Sequence, residues 1–240
     1  MLPRFFAPGL EPDSQTIALP ADEARHLSRV LRLRSGDDVR VFDGRGHEYL
    51  AQVEATGGRQ ATVRLIEPIV PARESPISLT LAQAVLAGDK MDAVVRDLTM
   101  LGVAVIQPVV SARSETSLAL LARSHRTERW RRVAVASAKQ CGRAIVPLIS
   151  EPIALQDWLR GDTSGVRLIL AEPEGDSPVG GSRPLDAVSH LTHGTVTLLV
   201  GPEGGWTAAE ATMAQTAGFV PWTLGGRTLR AETAALIAVT

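Results

Sequence analysis

The sequence predicts an α/β protein in which a small β-rich domain precedes a larger domain built on a parallel sheet. Two observations carry this. Residues 1–70 hold short β-type runs separated by glycine-bearing turns, whereas residues 77–240 alternate Val/Ile/Leu-rich runs with helical segments. Near-continuous apolar runs belong to strands buried on both faces, and their alternation with helices marks a sheet covered on both sides.

In the first region Ala21 to Arg32 reads as a helix, with Asp22 and Glu23 in its first turn. Strands are expected at Val39–Asp43, Glu48–Ala55 and Gln60–Glu67, divided by the turn clusters DGRG and TGGR. Ala51, Val53 and Ala55 alternate with Gln52 and Glu54, the period of a half-buried strand. A few short strands with one helix predict a small β-barrel over residues 1–72. The polar stretch Pro71 to Pro76 reads as a linker, so the second domain is placed at residues 73–240. There Ser78–Leu86 is strand-like, and Asp89–Leu101 is an amphipathic helix with Met91, Val94, Val95 and Leu98 on one face. Val103–Val110 is β and Ser124 to Cys141 a long helix. Further strands are expected at Val166–Ala171, Val196–Val200 and Val220–Leu224, with helices near Leu155–Leu159 and Ala208–Ala217.

Composition narrows the class. Of 240 residues 45% are hydrophobic, enough for real cores. No apolar run approaches the roughly 18 residues of a membrane helix, so no membrane partner is expected. The start, MLPRFFAPGLEPD, lacks a charged-then-apolar signal pattern. The single cysteine, Cys141, rules out an internal disulfide and fits a reducing, cytoplasmic setting; its side chain is expected to be buried. The net charge of −1 is not that of a dedicated nucleic-acid binder. Between Ala122 and Arg143, however, seven Lys or Arg face a single acid, Glu128, a local concentration that can attract phosphate.

Two segments carry the chemistry: LLVGPEGG at 198–205 and LGGRTLRAETAAL at 224–236. Each is an apolar run breaking into a glycine-bearing turn, and the second opens a helix. Ligands of parallel sheets bind beyond the carboxyl ends of the strands, where both turns and AEPEGD fall. Neither turn is a common phosphate cradle: no GxxxxGK[ST] occurs, and no GxGxxG follows the first strand of a βαβ unit. A ligand gripped by backbone turns without a phosphate clamp is consistent with S-adenosylmethionine, which the turns alone do not identify. His190 and His193 have a spacing that could share a metal, but no third ligand accompanies them and no metal is expected.

These residues resemble the SPOUT class of RNA methyltransferases, and most closely the 16S ribosomal RNA uracil-N3 methyltransferase family of RsmE type. The family signature is matched by Gly201-Pro202-Glu203-Gly204-Gly205, Glu210, Leu224-Gly225, Arg227, Leu229-Arg230 and Glu232-Thr233. Its N-terminal pattern is matched by Arg4-Phe5-Phe6, His26-Leu27 and Val30-Leu31-Arg32, and its RW and QCGR patterns by Arg129-Trp130 and Gln140 to Arg143. The resemblance implies a PUA-like RNA-binding barrel before a parallel sheet tied into a C-terminal trefoil knot. It also implies S-adenosylmethionine as cofactor, and as partners 16S ribosomal RNA in the small ribosomal subunit and a second copy of the chain.

By resemblance Leu170, Ala171 and Glu172, Val200 to Gly205, and Leu224 to Arg230 (Gly225, Gly226 and Leu229 among them) line the cofactor pocket, with Gly201, Gly225 and Gly226 permitting close backbone approach. Glu203 reads either as an acceptor for ribose or amino group or as a solvated turn carboxylate. Thr233 reads either as a cofactor contact or as a helix cap. Transfer to uracil N3 requires loss of its proton, by general-base action or by stabilising the anion on O2 and O4. Arg230 suits the second role and is the first catalytic candidate. Glu232 is the second, as the motif's nearby carboxylate, though a helix's first turn weakens it as a base. N3 lies on the Watson–Crick edge, so the base must be unpaired or flipped.

Arg25, Arg29 and Arg32 share one helical face by spacing and, with Arg4 and His26, are RNA candidates. Lys90 and Arg143 read as phosphate or substrate contacts or as packing and salt-bridging residues; Trp130 reads as core. Met100 stands where the family has Glu, Ala231 where Thr is common, and the chain stops at Thr240 within a helical pattern that the family continues. The competing functions are a SPOUT enzyme acting on a ribose 2′-hydroxyl or on transfer RNA, and an RNA-binding module without catalysis.

Overall fold

The computed structural model describes residues 2–11, 13–57, 60–161, 164–173 and 191–240. By contacts the chain divides into two compact units: Met1–Arg73 with Val135–Val146, and Glu74–Ala134 with Pro147–Thr240.

The first unit holds a five-stranded sheet, β1 (Arg4–Phe6), β2 (Thr16–Ala18), β3 (Asp38–Phe42), β4 (Glu48–Gly57) and β5 (Gln60–Ile69), in the order β1-β3-β4-β5-β2. Only the β1–β3 pair is parallel. Phe5, Ile17, Val41, Val53 and Val63, from all five strands, are buried in one core, so the sheet curls around a single interior. The strands predicted at Val39, Glu48 and Gln60 are present; β1 and β2, too short to carry a period, were not expected.

The helix expected from Ala21 to Arg32 is instead α1 (Ala21–Arg25) continued by a π turn, His26–Val30, in which Leu31 N–H reaches the His26 carbonyl at 3.0 Å. Arg32 has left the helix with φ of 54°. Arg25, Arg29 and Arg32 are exposed but share no single helical face, because the wider turn changes the angular step and Arg32 lies beyond it. His26 is half-buried, with its ring edge-on to Phe5.

The second unit is built on a seven-stranded sheet in which every pair is parallel. Its strands are β6 (Ile77–Ala84), β7 (Val105–Val110), β8 (Leu148–Ile149), β9 (Ile153–Ala154), β10 (Val166–Leu170), β11 (Gly194–Val200) and β12 (Val220–Trp222). The order is β12-β10-β11-β6-β7-β8, with β9 also on β7. β11 thus lies between β10 and β6. Val196 to Val200 are all buried, as the run without alternation predicts. Helix α2 (Lys90–Met100) buries Met91, Val94, Val95 and Leu98, the expected face. The other helices are α3 (Leu118–Arg123), α4 (Arg126–Cys141), α5 (Leu155–Trp158), α6 (Ala208–Thr216) and α7 (Ala231–Val239), the last packed against α2 and β11. No helix among the described residues is long and apolar enough to cross a membrane.

Candidate active site

Because all its strands run the same way, the loops after β6, β7, β10, β11 and β12 open on one edge of the second sheet. They enclose a cavity of about 780 Å³, within the range of small-molecule sites. Of the residues expected to hold a cofactor, Leu170, Ala171, Glu172, Val200, Gly201, Pro202, Glu203, Gly205, Leu224, Arg227, Thr228, Leu229 and Arg230 line it. Gly204, Gly225, Gly226 and Thr233 do not line it; Thr233 is exposed on α7. Glu232 and Lys90 do. The two glycine turns, distant in sequence, therefore wall one space.

The first turn is held from several sides. Gly205 N–H closes it on the Pro202 carbonyl at 2.9 Å, with Gly205 at a φ of 68° that favours glycine. Arg113, after β7, donates to the Gly204 carbonyl at 2.7 Å. Gln83, fully buried at the end of β6, donates to the Gly201 carbonyl at 3.2 Å, and its Oε1 has no protein partner. Trp206 donates its indole N–H to the Leu170 carbonyl at 3.0 Å, joining the ends of β11 and β10.

Glu203 accepts from Lys90 Nζ at 2.8 Å and from the Ala87 amide at 3.2 Å. Burial pushes its carboxyl up, but the Lys90 ammonium and the backbone amides outweigh this and hold it below the ordinary carboxylate range. The same bond raises Lys90. The carboxylate expected to meet ribose or solvent is here an ion-pair partner, and Lys90 is its cation.

Glu210 is architectural. It completes a capping box on α6: Glu210 N–H donates to Thr207 Oγ1 and Thr207 N–H to Glu210 Oε2 at 2.9 Å. Its other oxygen accepts from Ala112 N–H at 2.8 Å, anchoring the loop after β7. Burial raises this carboxyl, and the Ala112 and Thr207 donors bring it below its usual range.

The second turn leads into α7. Arg230 occupies the N-cap position with an exposed side chain. Glu232 lies in the first turn, and its Oε2 is buried without a hydrogen-bond partner. A buried carboxylate oxygen without a donor is costly, and on a cavity wall it fits a site that receives an N–H or O–H group. This orphaned acceptor and the volume both fit a ligand as polar as S-adenosylmethionine.

Several expectations for RNA contacts are corrected. Arg4 is not at the surface: its side chain is 6% exposed, and all five N–H donors are engaged. Two meet Glu48, and the others meet the carbonyls of Ala138, Lys139 and Arg143. Arg143 is buried as well. Three of the seven cations of residues 122–143 are paired with acids: Arg129 with Asp89 and Asp92, Arg131 with Glu128 and Glu151, and Lys139 with Glu23. Trp130 is fully buried, whereas Cys141 is only half-buried. His190 lies outside the described residues, and His193 is exposed. Among the described residues no cluster of His, Cys, Asp or Glu could hold a metal ion.

Pro173, Arg113, Trp206, Thr207, Ala208, Ala211, Ala231 and Ala234 line the cavity without having been expected there. Trp206 directly follows the first turn, so adjacency could have found it. Thr207-x-x-Glu210 is a readable capping signature. Nothing local marks Arg113.

Comparison with known proteins agrees with the geometry. Residues 73–240 match the model of an RNA methyltransferase domain, and residues 19–66 that of an RNA methyltransferase PUA domain. The chain is 32% identical over 225 residues to ribosomal RNA small subunit methyltransferase E of Synechocystis, covering 93% of this chain and 71% of that protein. It is 32% identical over 230 residues to the protein of that name from Rickettsia conorii, covering 95% and 89%. Among solved structures, ribosomal RNA small subunit methyltransferase E of Neisseria gonorrhoeae, bound to S-adenosyl methionine, superposes with a TM-score of 0.85 at 33% identity. The match covers 100% of this chain and 95% of that one. A putative methyltransferase of Legionella pneumophila, in complex with the same cofactor, gives 0.84 at 30% identity, covering 100% and 96%. With a family model spanning most of its length and relatives of one name along nearly all of it, this chain belongs to the RNA methyltransferase family of ribosomal RNA small subunit methyltransferase E.

Proposed function

We propose that the protein is an S-adenosylmethionine-dependent methyltransferase acting on N3 of a uridine in the 16S RNA of the small ribosomal subunit. The observation that carries this reading is the convergence of Arg230 and Glu232 on one cavity walled by both glycine turns. The bound cofactor supplies an electrophilic methyl carbon on a positively charged sulfur. The loops after β10, β11 and β12 hold it, chiefly through Leu170 to Glu172, Val200 to Gly205 and Leu224 to Arg230.

The remaining work falls to the chain's own side chains. Arg230, its guanidinium exposed at the start of α7, steadies negative charge on uracil O2 and O4 as N3 loses its proton. Glu232, whose Oε2 has no protein donor, receives the N3–H hydrogen bond and takes that proton. Arg25, Arg29 and Arg32, exposed on the first unit, grip the RNA backbone. The reading extends to a homodimer and to a knotted path near β11 and α7; the place of β11 between β10 and β6 supports the latter.

Incubation with tritiated-methyl cofactor and small subunits or their RNA, followed by nucleoside analysis, tests the function. N3-methyluridine is the expected product. Label in a ribose methyl or in transfer RNA, or RNA retention without transfer, would replace this reading with one of its competitors. Sedimentation of the active species tests the dimer, and an active monomer would remove it.

A further inference from the structure

Gly201 opens the first glycine turn and lines the cavity, which suggests a glycine kept bare for a ligand. The space beside it is already taken. A Cβ built on Gly201 would lie 3.2 Å from Cε2 and 3.3 Å from Nε1 of Trp206, with Cδ2 at 3.5 Å. These are ring atoms of an indole that cannot swing away freely, because its N–H is tied to the Leu170 carbonyl at 3.0 Å and the ring packs on the core containing Ile169 and Leu199.

We propose that Trp206 is a positioning residue that fixes the end of β10 against the end of β11, and that Gly201 is glycine to admit its indole rather than a ligand. One indole then sets the spacing of two of the loops walling the cavity. It also takes one of the two lone pairs of the Leu170 carbonyl, while on the cavity wall the Oε2 of Glu232 keeps no protein partner. A methyl group at position 201 would push the ring, and through it Leu170, by a few tenths of an ångström. Well-packed sites resist such shifts.

A double-mutant cycle read by S-adenosylmethionine affinity separates the two explanations of Gly201. Gly201→Ala alone is expected to weaken binding by roughly tenfold. With Trp206→Leu, which weakens binding itself but removes the ring, adding Gly201→Ala is expected to change affinity by less than about twofold. An undiminished penalty for Gly201→Ala in that background would mean the glycine faces the ligand, and would overturn the proposal. This cycle rests on the function proposed above, so a second measurement is made on the ligand-free wild type. The indole N–H resonance lost in Trp206→Phe is expected to exchange slowly with solvent and to stay in place when cofactor is added. Exchange as fast as that of an exposed tryptophan would sink the inference even if cofactor binds. Failure of the wild type to bind cofactor, with the indole still protected, would instead count against the function alone.

Discussion

The acids on the site loops have different electrostatic settings, and their responses to substitution and pH follow. Glu210 holds the α6 cap and the Ala112 amide. Glu210→Ala should cost about 1–2 kcal/mol of stability, measured by denaturant unfolding. Its folded carboxyl sits below its unfolded one. Its contribution is therefore complete above the ordinary carboxylate range and lost as pH falls through the folded value. Glu210→Gln should flatten that acid limb of the stability curve while keeping the box. Arg230→Ala should lower kcat roughly 100-fold or more, a larger loss than any in cofactor affinity; near-wild-type turnover would remove the proposed role. Glu232→Gln should also slow turnover. If the carboxylate takes the N3 proton, that deficit shrinks as pH rises toward the range where uracil ionises unaided. The two motifs named most of the cavity wall, because a glycine turn at a strand end is a local pattern. The partners of Glu203 and Trp206 were not legible, since Lys90 and Leu170 are far away in sequence and meet them only once the sheet is assembled.

Secondary structure was readable where it is long. β6, β7, β10 and β11 are rich in Val, Ile, Leu and Ala, and α2 shows its buried face directly. β1, β2, β8 and β9 were missed because each is three residues or fewer, too short for a period to declare itself, and α3, at six residues, makes fewer than two helical turns. The π turn was missed for another reason: nothing in the local residue types distinguishes five-residue from four-residue hydrogen bonding, and the insertion moves Arg32 off the helix. The ion pairs along α4 are similarly invisible to a count of charges. With Arg129, Arg131 and Lys139 paired to acids, RNA affinity should rest on the remaining exposed arginines. Ala replacement of Arg25 or Arg29 should each weaken binding across RNA sequences and reduce the salt slope by about one. Equal slopes for variant and wild type would exclude that contact.

At the scale of the molecule, the parallel sheet was foreseen, and the cavity lies at the edge expected of it. Contiguous domains were also expected, with the boundary after residue 72. Val135–Val146 instead belongs by contacts with the N-terminal strands, and sequence order offers no sign of that. Ala138 and Ala144 are buried beside Phe42, and the Ala144 and Gly44 carbonyls accept from Gly46 and Val146. Arg4 ties the same segment to Glu48, a carboxylate with a 3% exposed side chain. Arg4→Ala leaves that carboxylate without its main partner and should cost roughly 3–5 kcal/mol, read from thermal unfolding. Arg4→Lys should recover only part of it, having three donors where five are used.

That returning segment decides how the protein can be dissected. A fragment severed at Arg73 would carry its whole N-terminal sheet, yet it would leave behind the carbonyls that quench an interior guanidinium and the alanines that seal Phe42. Such a piece should precipitate or stay molten. Supplying a peptide spanning Val135 to Val146 in trans should restore its cooperative melting.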